Sequence, residues 1–105
     1  MASTFKALYR GFAPTSASSV YTVPGATKTL ITNIVVANQD ATARTFTINL
    51  YNGTTDVPLA SGTTVPAKDS VIIDAKTLLE TGNIIRVLAS ASAQVAMHIS
   101  GLELT

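Results

Sequence analysis

With 105 residues and 10.9 kDa, the chain has enough material for one hydrophobic core and too little for two independent ones. Its 47% hydrophobic content and 12% charged residues, about half the usual globular fraction, exclude an ordinary disordered chain. A net charge of +1 from scattered basic residues argues against nucleic-acid binding, and the absence of cysteine removes disulfides, thiolate catalysis and cysteine zinc sites together.

The N-terminal segment TFKALYRGFAP interleaves apolar Phe5, Leu8 and Phe12 with Lys6 and Arg10. It reads as the first strand of its own domain, or as an arm over residues 1–13 that adds a strand to a neighbour through shared backbone hydrogen bonds. On the arm reading, Phe5, Leu8, Tyr9, Arg10 and Phe12 are the candidate interface residues. The small, polar TSASS at 15–19 then reads as a loop ahead of the domain proper, residues 14–105.

Val23-Pro24-Gly25-Ala26 predicts a turn, with proline presetting the first central φ and glycine taking a positive φ at the second. Residues 27–38 are β-branched and apolar on both parities, which predicts a strand covered on both faces. Residues 44–51, RTFTINLY, alternate strictly: Phe46, Ile48 and Leu50 share one face, while Thr45, Thr47, Asn49 and Tyr51 share the other. That period of two is the pattern of a half-buried strand. The short connection at 38–41 predicts an antiparallel hairpin between these two strands.

From 56 to 75 the sequence predicts short extended pieces broken by Pro58, Gly62 and Pro66, with both prolines on edges or in turns. AKTLLE at 75–80 predicts one or two helical turns stopped by Thr81-Gly82-Asn83. Two further strands follow at 84–90 and 94–105. In the second, Val95, Met97 and Ile99 share a face, Leu102 and Leu104 fall on the other, and Gly101 predicts a bulge or bend between them. Short strands, turn signals and no long amphipathic helix predict an all-β single domain, an antiparallel β-sandwich or jelly-roll-like fold.

Catalytic and metal-binding motifs are missing. The lone His98 shares parity with Ala96 and Ser100 and reads as a surface or interface residue rather than a general base. The six carboxylates are dispersed, without the spacing of a calcium loop, and the glycines and serines match neither a phosphate loop nor a nucleophile elbow. The expectation is a non-enzyme with no cofactor. Tyr9, Tyr21 and Tyr51 could form an aromatic platform for a sugar, which leaves a glycan-binding module as an alternative. No apolar run approaches the ~20 residues that span a bilayer, and the N-terminus lacks a signal-peptide core, so no membrane partner is expected.

Leu8-Tyr9-Arg10-Gly11, Tyr21-Thr22-Val23-Pro24, residues 31–38 and residues 98–105 together resemble small bacteriophage virion structural proteins of the capsid decoration, or cement, kind. The resemblance covers most of the chain, with Pro-Gly-Ala after Val23 where those proteins would have Pro-Ala-Gly. It implies a β-sandwich that forms homo-oligomers, with a trimer favoured, and binds the phage major capsid protein to stabilise the assembled shell. Its place would be the virion, after synthesis in the host cytoplasm. A neck, tail or fibre-associated structural protein is the alternative that the same resemblance allows.

Overall fold

A computed structural model of the chain describes residues 3–105, so Met1 and Ala2 of the expected 1–13 segment lie outside the described residues. Nine strands occur among them: β1 Ser3–Phe12, β2 Ser18–Thr22, β3 Lys28–Asn38, β4 Arg44–Tyr51, β5 Asp56–Val65, β6 Ser70–Ile73, β7 Thr77–Leu79, β8 Ile84–Ala89 and β9 Val95–Leu104. They form two antiparallel sheets. The five-stranded sheet runs β1-β9-β3-β6, with β7 continuing the β6 edge along β3, and the four-stranded sheet runs β2-β8-β4-β5. Counting β6 and β7 as one interrupted strand, the pairs nest: first with last, second with next to last, and so on inward. Nested pairing split over two sheets is the jelly-roll arrangement.

Alternation along each strand supplies the core. Phe46 and Ile48 of β4 turn inward with Ile85 and Val87 of β8, and they meet Ile34 and Val36 of β3 and Met97 and Ile99 of β9. Each such side chain, fully buried, contributes roughly 1.5–3 kcal/mol. The half-buried strand expected at 44–51 is therefore present with the expected inward face.

Five local readings change. First, β3 and β4 do not form a hairpin: β3 pairs with β6, β7 and β9, while β4 pairs with β5 and β8, so the 39–43 connection crosses from one sheet to the other. Buried Asn38 fixes that crossing. Its amide donates to the carbonyls of Thr42 (2.9 Å) and Val65 (3.2 Å), and its Oδ1 accepts from the Asp40 amide (2.9 Å). Beside it the Arg44 guanidinium, with Nε 2.7 Å from Asp40, holds that carboxyl below the usual carboxylate range. Second, the expected helical turns at 75–80 are strand β7, because the free edge of β3 at residues 29–31 offers ladder partners that outweigh a local helical preference.

Third, β9 keeps its alternation through Gly101, which stays on the inner face, while Leu102 and Leu104 lie on the outer one. The bulges fall in the neighbouring strands instead, at Leu8 in β1 and Thr32 in β3. Fourth, the positive φ of the turn after Val23 belongs to Ala26 (φ 55°) and not to Gly25. The order Pro-Ala-Gly would put glycine where the backbone needs it. Fifth, the separate pieces expected at 56–65 join into one edge strand that carries Pro58 and two register shifts.

A polar cluster bridges the sheets at one end. The Tyr21 hydroxyl on β2 donates to Glu103 Oε2 on β9 at 2.5 Å and lies 2.8 Å from the hydroxyl of Thr29, which is buried in β3. Burial, reinforced by the adjacent carboxylate, pushes the phenol up to about 12. Between pH 10, where the unfolded phenol ionises, and about 12, the native state holds the proton that the unfolded state has lost. Stability should therefore fall across that window. Chemical denaturation at several alkaline pH values should show a steeper loss for the wild type than for Tyr21→Phe; equal slopes would remove Tyr21 as its source.

Candidate functional site

Pairing across the five-stranded sheet lines its outer-facing residues into rows. Phe5 of β1 stands opposite Leu102, Leu102 opposite Leu30, and Leu30 opposite Leu78 of β7, so one apolar row crosses the whole sheet. A second row runs Arg10, His98, Val35, Ile72, and a third runs Phe12, Ala96, Ala37, Ser70. The edge members of these rows are unusually bare: Phe5 is 85% exposed, Ile72 68%, Leu78 50% and Phe12 47%. Only Val57 joins these four as an exposed large apolar residue among the described residues. Concentration on one face of one sheet is the informative feature, since single exposed apolar residues are ordinary.

The candidate interface residues fall into two groups. Phe5, Arg10 and Phe12 lie on the outer face of β1. Leu8 is 7% exposed and packs into the core, because the bulge between Ala7 and Tyr9 turns it inward. Tyr9 packs partly against the same core and donates its hydroxyl to the Phe12 carbonyl at 2.9 Å. Sequence alternation alone could not separate these roles, because the extra residue at the bulge exchanges the two faces. The segment read as arm or first strand pairs along β9 of its own chain, which makes residues 3–12 part of the sandwich.

His98 sits in mid-sheet on the outer face between Arg10 and Val35. No group of three or more His, Cys, Asp or Glu that could hold a metal occurs among the described residues. The three tyrosines do not share a platform: Tyr9 folds along β1, Tyr21 is engaged with Glu103, and Tyr51 lies under the Arg86 guanidinium at 4.1 Å. That guanidinium also reaches Asp56 at 3.4 Å. An open groove of about 460 Å³ has a floor of Ala37 and Ala96, with Phe12 on one side and residues 68–70 on the other. No helix among the described residues is long and apolar enough to cross a membrane.

No protein-family model matches the chain, and no curated protein matches it in sequence. Among solved structures it is similar to a protein of Bacillus endospore appendages, a family of disulfide-linked pili. The two are 14% identical, the alignment covers 99% of this chain and 87% of that one, and the TM-score is 0.60. It is also similar to a protein of the infectious bursal disease virus Gx strain, with 12% identity and a TM-score of 0.52; 97% of this chain aligns with 31% of the viral one. A pentameric capsid protein from metagenomic phage sequences aligns at 14% identity over 88% of this chain and 59% of that one, with a TM-score of 0.43. What the first two share with this chain is the all-β fold.

Proposed function

We propose that the chain is a structural subunit of a virus particle, acting by contact and not by catalysis, and specifically a bacteriophage capsid decoration protein that stabilises the assembled shell. The observation that carries this reading is the outer face of the five-stranded sheet, where four exposed large apolar side chains occupy the two edges of a sheet with few charges. A protein that works alone in water gains nothing from that arrangement, whereas a subunit buries it against copies of itself or a shell protein. A jelly roll suits such a role, although the fold by itself assigns none. The sequence resemblance to phage decoration proteins supplies the specific task, the major capsid protein as partner and the trimer.

Several modest contacts made together by a symmetric oligomer would hold the shell more firmly than one, because linked sites raise the effective concentration. A second reading, a subunit of an extracellular filament, is favoured by the extent of the match to the endospore appendage protein. The 105 residues hold no cysteine, so nothing in them could form the disulfide links of those pili. The deciding experiment is quantitative mass spectrometry of purified particles of the phage that encodes the chain. A ratio to the major capsid protein near one to one is expected. A few copies per particle would move the chain to the neck, tail or fibre, and absence from particles would overturn the virion reading.

A further inference from the structure

The five-stranded sheet ends in two unpaired edges, β1 on one side and β6 with β7 on the other. Free edges expose backbone donors and acceptors that another strand can satisfy, and proteins usually blunt them. Here they carry matched features. β1 holds Lys6 and Arg10 and no acid, a charge of +2, with Lys6 3.4 Å from Glu103 on β9. Residues 68–80 hold Lys68 and Lys76 against Asp69, Asp74 and Glu80, a charge of −1, with Asp74 and Glu80 in exposed pairs to Lys76 and Lys28. Both edges show bare apolar side chains on the same outer face: Phe5 and Phe12 on β1, Ile72 and Leu78 opposite.

Their irregularities also coincide. The β1 bulge at Leu8, the β3 bulge at Thr32 and the 74–76 break between β6 and β7 lie at one level of the sheet. Because β1 is antiparallel to β9, β9 to β3, and β3 to β6 and β7, β1 runs antiparallel to the far edge. A second copy set beside the first, in the same orientation, therefore presents its β1 antiparallel to β6 and β7. Continuing the rows places its Phe5 against Leu78 and its Arg10 against Ile72. Arg10 makes no ion pair among the described residues, and Asp74, whose ion pair with Lys76 at 3.3 Å is solvent-exposed on both sides, lies two positions beyond Ile72, one diagonal step away. The β1 bulge then faces the 74–76 break, so neither segment is forced out of register.

We infer that this protein self-assembles head to tail, with β1 of one copy completing the five-stranded sheet of the next along β6 and β7. The partner is a second copy of this chain, since the two edges complement each other in charge, apolar rows and position of the bulge. Such a contact uses two different surfaces and propagates from copy to copy until a ring closes.

The test needs only the purified protein, so it stands or falls independently of the virion reading. Phe5→Asp disables the β1 edge, and Leu78→Asp disables the other. Both side chains point outward, and circular dichroism would confirm that the variants fold. By sedimentation velocity the wild type should assemble, each variant alone should be monomeric, and an equimolar mixture should form a dimer that grows no further. A Leu78→Asp variant that assembles like the wild type would overturn the inference in favour of β1 pairing with β1, and a mixture that stays monomeric would also overturn it. A second measurement uses the lack of native cysteine. Under mild oxidation a Phe5→Cys, Leu78→Cys double variant should give a ladder of linked oligomers, whereas Phe5→Cys alone should not link; a ladder-free double variant would count against the contact.

Discussion

Gly101→Ala should destabilise the protein by about 3 kcal/mol, at the upper end of ordinary overpacking costs. A Cβ at Gly101 would stand 2.6 Å from the Leu30 carbonyl oxygen and 2.8 Å from a methyl carbon of Leu8. Leu8 could shift a little, but the carbonyl belongs to β3, which pairs with β9 on both sides of this point. Adding one methyl therefore forces two central strands apart or drives Leu8 from its site. Gly25→Ala is the internal control, because a Cβ there meets nothing within 4 Å and should leave stability nearly unchanged. Urea denaturation of the two variants compares them directly. If Gly101→Ala matched Gly25→Ala, the close approach of β1, β9 and β3 at this point would be wrong.

Deleting residues 2–13 should abolish the cooperative fold. The segment brings Leu8 and Ala13 into the core, packs Tyr9 against it, and pairs with β9 from Ser3 to Phe12. Truncating a buried leucine alone typically costs about 2–5 kcal/mol, against a total stability of about 5–15 kcal/mol for a domain. The deletion would also bare the β9 edge and remove Lys6, which lies 3.4 Å from Glu103. Circular dichroism during heating should show no cooperative transition. A truncated protein that melted near the wild-type temperature would mean that β1 is a dispensable arm. The deletion therefore cannot probe assembly, whereas Phe5→Asp, on the solvent side of the same strand, leaves the core contacts in place.

The β1 segment also shows how far the sequence reached toward the candidate surface. Apolar and basic residues in turn marked TFKALYRGF as a strand with something to contact, and Phe5, Arg10 and Phe12 do lie on its outer face. The matching surface on β6 and β7 was not legible. Ile72 and Leu78 look like core residues in sequence, and Leu78 lies in a segment whose composition favours helix. Only pairing with β3 turns both outward.

Within a strand, the sequence alone determines a good deal. Side chains alternate with a period of two in any extended chain, so RTFTINLY already shows that Phe46 and Ile48 go inward, and QVAMHIS that Val95, Met97 and Ile99 do. Chain length likewise set a single domain, and short alternating segments between turn signals set the all-β class. Which strands become neighbours was decided by the tertiary structure. Local cues favoured a hairpin between residues 28–37 and 43–51, yet these strands sit in opposite sheets, and β1 pairs with β9 from the far end of the chain. Alternation says that a strand has an inner face but carries no information about which strand will hydrogen-bond its edge. That choice is made by closing both sheets over one core, which also fixes the bulges and hence the direction each residue beyond them points.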